Sequence, residues 1–371
     1  MDPSKPSNTS TRRHLIARRL GLIFGAVVLP ILAAEVLVRV LGLAPDLLRI
    51  RMEEVNSVFR LSDNPILGYE LRENARYTDQ PHSAESKTNS HGQWDVERAY
   101  EKPQGTKRIL VLGDSVVLGA DVFDFRNTMT GVLERLYDDP QVEVLNFGVT
   151  GYCTRAEMEL LKTKGLKYQP DIVVLVFVEN DYLPNGDLHR TDAATQPAYA
   201  KWLFVKSALF RMACLSLDLF EFRANIDRQR AHNGAIGDDN VKDGLAMFAQ
   251  LSQEYGFQPL VVIWPYFSKH GIVDRESRGR NPDDFLEIDP QDALEVEGLA
   301  REVGLSTFRL SAIFKALNEL PDSQTRRHYS VDGMHATEAG CELAARAIKS
   351  ILDANTVDRG TAPDDQTPPS P

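Results

Sequence analysis

From Lys107 onward the chain is marked by four short apolar runs: "RILVLG" (108–113), "VEVLNFG" (142–148), "DIVVLVFVEN" (171–180) and "PLVVIWP" (259–265). Rich in Val, Leu and Ile, they read as strands buried on both faces of a parallel sheet. Between them lie helical patterns: "TMTGVLERLYDD" (128–139), "TRAEMELLKTKGL" (154–166) and "NVKDGLAMFAQLSQEYG" (240–256). Strand and helix alternate. The prediction is an α/β domain over 105–355, a three-layer, doubly wound, flavodoxin-like parallel sheet with helices on both faces. A final amphipathic helix is predicted over 336–354, with Thr337 available as its cap.

The N-terminal third reads differently. Residues 1–13 are polar and predict a disordered cytoplasmic tail. Arg12, Arg13, Arg18 and Arg19 then precede an uncharged run from Leu20 to Ala34. Extending that run through Val38 approaches the roughly 20 residues of a spanning helix, with Glu35 carried inside and Arg39 snorkelling outward. Pro30 is tolerable in such a helix. A transmembrane signal-anchor helix is predicted over 14–43, with the arginines cytoplasmic and the rest translocated. A cleaved signal peptide ending near "ILAAE" is the main rival. A twin-arginine signal is a weaker one, and a buried amphipathic helix is disfavoured because the run lacks a polar face.

Residues 44–104 carry Gly, Pro and Asn punctuation between short alternating runs, and predict an ordered extension with small strands. Residues 185–240 interrupt the α/β alternation with aromatic helical material, an insertion over the site or a membrane-facing lid. Its Trp202, Phe204, Phe210, Phe220 and Phe222 are expected to pack rather than touch lipid. The tail 356–371 is low in complexity and predicts disorder.

Composition adds exclusions. A net charge of −11 argues against nucleic acid as a partner. Cys153, Cys214 and Cys341 show neither zinc spacing nor a disulfide framework and read as small buried hydrophobes. The sequence implies no metal and no cofactor: it holds no Gly-Lys-Ser/Thr loop, no GxGxxG and no His-Glu-x-x-His. No serine sits in a GxSxG elbow. Oligomeric state is not readable.

In a parallel α/β sheet, ligands collect at the carboxyl ends of the strands. Four polar stretches fall there: "GDS" (113–115), "NFGVTGY" (146–152), "VEND" (178–181) and "DGMH" (332–335). Each has an ordinary explanation. A serine after a strand usually caps a helix, and Asn-Asp usually turns the chain. Jointly they supply acyl-transfer machinery. Ser115 offers a hydroxyl, His335 a base, and Asp332 a carboxylate to orient it. The backbone N–H groups of Ser115 and Gly151 and the Asn180 amide form a candidate oxyanion hole. Asp114 is expected to hydrogen-bond the turn, and His328 ranks below His335 because Thr325 stands where an acid would be needed.

These blocks resemble the SGNH (GDSL-type) serine hydrolase superfamily across about 105–354. The resemblance implies Ser115 as nucleophile, Gly151 and Asn180 as oxyanion residues, and Asp332 and His335 as the rest of a triad. The helix followed by "LGYELRENARYT" is similar to membrane-anchored bacterial members. That likeness implies a single-pass inner-membrane protein with an extracytoplasmic, periplasmic catalytic domain. The implied activity is hydrolysis of acyl esters, O-acetyl above all, on a carbohydrate or lipid. The alternatives are an O-acetyltransferase of surface polysaccharide and a non-catalytic glycan-binding or assembly protein. One departure stands out: Val178 occupies the position where the family commonly has Gly, and is expected to crowd the oxyanion loop or reshape the acyl pocket.

Overall fold

The computed structural model describes residues 8–44, 58–76, 87–184, 197–217, 219–222, 231–274 and 291–360. Its centre is a five-stranded sheet of β3 (Lys107–Gly113), β4 (Val142–Gly148), β5 (Ile172–Phe177), β6 (Gln258–Ile263) and β9 (Thr307–Arg309). The spatial order is β4-β3-β5-β6-β9 and every pair is parallel. The chain reverses direction across the sheet at β3, so β4 and β5 flank it. That is the switch point where doubly wound sheets place their ligands.

Alternation along the buried strands divides two cores. Leu110, Leu112, Leu145, Phe147, Val173 and Leu175 face one side. There they meet Met158 and Leu161 of α4 (Thr154–Thr163) and Leu245 and Phe248 of α7 (Asn240–Tyr255). Ile109, Val111, Val144, Val174 and Val176 face the other. Their partners are Val132 and Leu133 of α3 (Met129–Tyr137) and Ala344 and Ile348 of α11 (Glu338–Gly360). The three-layer arrangement follows. Thr337 caps the last helix as expected, its Oγ1 accepting from Gly340 N at 3.2 Å. That helix extends to Gly360 rather than stopping at 354; 361–371 lie outside the described residues.

The extension forms a small antiparallel hairpin, β1 (Phe59–Leu61) and β2 (Tyr69–Leu71). Phe59, Leu67, Tyr69 and Leu71 join the first core, so the hairpin is built into the domain. In the insertion, α5 (Ala198–Lys206) and α6 (Ala208–Leu217) close a separate small core around Phe204, Cys214 and Phe222, with Phe210 packed against it. Trp202 departs from expectation: 62% of its surface is exposed. The insertion's 185–196 and 223–230 lie outside the described residues.

The N-terminus needs two corrections. Helix α1 runs Asn8–Val40, so it begins within the segment expected to be disordered. Among the described residues, moreover, no helix is long and apolar enough to cross a membrane. The uncharged run Leu20–Ala34 covers only about 22 Å at 1.5 Å per residue. Glu35, read from sequence as a charge tolerated in lipid, has protein partners instead. Its carboxylate accepts from Ser207 Oγ at 2.7 Å and from the backbone N–H groups of Ala208 and Leu209, both at 2.8 Å. It therefore caps α6, satisfying donors that a helix start leaves free.

Candidate active site

Strand β3 passes directly into the one-turn helix α2 (Ser115–Leu118), which begins at the switch point. The cap of that helix is Asp114, not Ser115: its Oδ1 accepts from Val116 N at 2.9 Å. Ser115 is thereby left at the first helical position with its side chain free for other contacts. The neighbouring glycines permit the close packing. A Cβ on Gly148 would lie 2.0 Å from Leu118 N, so β4 can end against α2 only with glycine there.

The second half of the site is a loop between α10 (Asp322–Tyr329) and α11. Ser330 braces it, donating from Oγ to His335 O at 2.8 Å and accepting from Gly333 N at 2.8 Å. Trp264 Nε1 donates to Met334 O at 3.0 Å, and Phe267 N to Gly333 O at 2.8 Å, fastening the loop to the segment after β6. Asp332 Oδ1 accepts from Met334 N and His335 N at 2.9 and 2.8 Å. Its Oδ2 lies 2.7 Å from His335 Nδ1, and His335 Nε2 lies 2.8 Å from Ser115 Oγ. Residues 220 positions apart thus meet in one hydrogen-bonded line.

Electrostatics bias that line. Burial alone would raise the Asp332 carboxyl, but its bonds from His335 and Met334 hold it well below the usual carboxylate range. Burial would lower the His335 imidazole; the hydrogen bond and charge of Asp332, with Asp114 and Asp121 nearby, push it net above its ordinary value. His328 has its ring edge-on to Tyr329. Its ring has no hydrogen bond to Ser115 or Asp332.

Of the expected oxyanion donors, Asn180 is tied to the hydroxyl through a shared partner. Asn180, in the turn Glu179–Tyr182 after β5, donates from Nδ2 to Asp114 Oδ2 at 2.9 Å. The same oxygen accepts from Ser115 Oγ at 3.2 Å, so one buried carboxylate tethers both side chains. Asp114 does more than shape the turn, and only the fold reveals it. Gly151 sits in the left-handed region at φ 76°, where glycine is unstrained. The loop before it is held by Tyr69 of the hairpin, whose hydroxyl donates to Thr150 O, while Tyr152 Oη donates back to Tyr69 O. Tyr69 is a supporting residue that sequence reasoning missed. The motif "LGYEL" was visible, but nothing local connects it to residue 150.

Val178 corrects another expectation. Its side chain is fully buried in the second core, and its N–H donates to Asp181 Oδ2 at 3.0 Å. A side chain with no exposed surface does not line an open acyl pocket. Beneath the site, burial pushes the carboxyls of Glu157 and Asp181 well up, reinforced by the charge of Asp114. Cys153 and Cys341 are buried thiols pushed up to about 12, with no nucleophilic character at neutral pH. Among the described residues, no group of three or more His, Cys, Asp or Glu could hold a metal ion.

No family model matches the chain, and no curated protein matches it. Similarity does extend to solved structures. A lipase/acylhydrolase from Enterococcus faecalis is 18% identical with a TM-score of 0.39, over 67% of this chain and 97% of that one. A GDSL-like lipase from Parabacteroides merdae is 16% identical with a TM-score of 0.39, over 67% and 95%. A two-domain esterase active on acetylated mannans is 14% identical with a TM-score of 0.38; 71% of this chain covers 53% of that one. At these scores the likenesses add no weight to any one residue. The site stands on its own geometry.

Proposed function

We propose that this protein is a serine esterase that cleaves acyl esters, O-acetyl above all, on a carbohydrate or lipid. The observation that carries this reading is the line Ser115 Oγ, His335 Nε2, His335 Nδ1, Asp332 Oδ2, with steps of 2.8 and 2.7 Å. Ser115 Oγ attacks the ester carbonyl as His335 Nε2 takes its proton. Asp332 holds the imidazole in place and stabilises the imidazolium that forms. The tetrahedral oxyanion is met by the N–H groups of Ser115 and Gly151 and by Asn180 Nδ2. His335 then returns the proton to the departing alcohol, leaving acyl-Ser115. Water, deprotonated by His335, releases the carboxylic acid and restores the hydroxyl.

The Asp114 contacts support the assignment of Asn180. One amide hydrogen is spent on the carboxylate, which orients the other without a rotameric search when the oxyanion develops. A non-catalytic reading drew its support from Val178, and the burial of that side chain removes the support. We also place the esterase domain outside the cytoplasm, tethered at a membrane through α1. There Phe24, Leu29, Ile31, Leu32 and Leu37 are each more than half exposed. Failure of the full chain to co-sediment with lipid vesicles would refute the tether. For the chemistry, a fluorophosphonate probe is expected to label Ser115 in the folded protein and not the Ser115→Ala variant. Equal labelling of both would remove Ser115 as nucleophile.

A further inference from the structure

A basic groove lies on the outer side of the loop that carries Asp332 and His335. It is lined by Lys269, Ser323, Arg326, Arg327, Ser330 and Val331. We infer that this groove is an anion-binding subsite, and that the substrate is an acyl ester carried on a molecule bearing carboxylate or phosphate groups. The inference rests on the esterase reading and narrows its substrate class.

Three observations carry it. The first is convergence from separate elements. Basic residues in the last turn of α10, here Arg326, Arg327 and His328, have an ordinary explanation in the helix dipole. Lys269 does not share it. It comes from the turn between β7 (Tyr266–Ser268) and β8 (Gly271–Val273), and reaches the same groove. On a chain of net charge −11, three cations in one groove are a local reversal of sign. Such a groove focuses an anion rather than a neutral sugar.

The second observation is rigid attachment to the site. Arg326 donates from Nη2 to Asp332 O at 3.1 Å. Ser330, a wall of the groove, donates to His335 O, and Val331 N donates to the same carbonyl at 2.9 Å. On the other side, Phe267 N ties β7 to Gly333 O. The groove and the imidazole are thus two faces of one braced loop, and an anion held on one face has a fixed relation to Ser115. The third is the chemistry of the lining. Arg327, Lys269 and Ser323 are all exposed along the groove. That set donates hydrogen bonds to anionic oxygens, guanidinium in the fork geometry that carboxylate and phosphate accept.

The test uses the full-length Ser115→Ala protein in detergent, so that binding is read without turnover. Fluorescent polygalacturonate is expected to bind at least about tenfold tighter than fluorescent neutral mannan at low salt, and to weaken as salt screens the contact. Lys269→Ala with Arg327→Ala should bring polygalacturonate to the mannan level, while Lys269→Arg with Arg327→Lys should retain tight binding. Competition by inorganic phosphate at millimolar concentration would extend the class to phosphate-bearing carriers; its failure to compete would confine the class to carboxylates. Either result leaves an anion subsite. Equal affinity for the two polymers, or indifference to the double alanine change, overturns it. Because binding is measured without a nucleophile, failure of this inference is distinguishable from failure of the esterase reading, which the fluorophosphonate label reports on the wild-type chain.

Discussion

The two ends of strand β3 each carry a buried charge, and the charges serve opposite purposes. At the amino end, Arg108 is 1% exposed. Its Nε donates to Glu143 Oε2 at 2.6 Å, and its two Nη atoms donate to the carbonyls of Ala99, Tyr100, Glu101 and Tyr168. That satisfies the guanidinium with groups of the scaffold, so it knits the extension to the sheet. At the carboxyl end, Asp114 is equally buried, yet accepts from Ser115, Val116 and Asn180. Two of those donors, Ser115 and Asn180, belong to the proposed machinery. A buried charge is expensive unless paired. What it is paired with tells stability from function.

That contrast can be broken at either end. Ser115→Ala should give the largest effect, a loss of roughly 10⁴-fold or more in kcat on an aryl acetate with the melting temperature unmoved. Arg108→Met should do the reverse. It leaves Glu143 without its close partner and strips four carbonyls of a donor, for about 3–5 kcal/mol of stability in urea titration. Turnover per folded molecule should stay near wild type. A rate loss without destabilisation would mean that the two ends are coupled. Asn180→Ala should cost about 10²–10³ in kcat, the usual worth of one oxyanion donor. A loss confined to KM would instead make Asn180 a ground-state contact.

Smaller effects sharpen the picture. Tyr69→Phe removes the hydroxyl bond to Thr150 O and should reduce kcat by about tenfold or less, through the Gly151 loop. An unchanged kcat would confine the hairpin to a stabilising role. The pH profile should show the least change but a definite sign. Catalysis needs neutral His335, whose pKa lies above the ordinary 6.5 or so. The rate should therefore rise with pH through an inflection above that value. The same shift stabilises the fold fully below about 6.5, and the contribution is lost as pH rises through the folded pKa. An inflection at or below 6.5 would contradict the Asp332 pairing.

Much of this was readable in order along the chain. The apolar runs at 108–113, 142–148, 171–180 and 259–265 predicted four strands of the sheet, because burial on both faces demands continuous Val, Leu and Ile. Strand β9, only three residues at the sheet edge and intermediate in burial, left no such trace. Ser115, Gly151 and Asn180 were legible as chemistry-bearing types after predicted strands, and Asp332 and His335 just before the predicted last helix. Val178 was misread because sequence places a residue in a loop without saying which way it points. Glu35 was misread for a related reason: a carboxylate in an apolar run looks like a lipid-facing exception until its partner, the start of α6, is known.

By itself, then, the sequence determined the alternation of strand and helix, the two-faced burial of the sheet, and the residue types at its carboxyl edge. These follow from local periodicity and from the few side chains able to move a proton or hold an oxyanion. The tertiary structure alone decided that Asp114 tethers Asn180, that Tyr69 braces the Gly151 loop, and that Lys269 joins Arg327 beside the catalytic loop. Each brings together residues tens of positions apart, and placement over that range is set by how the layers pack, which no local pattern encodes.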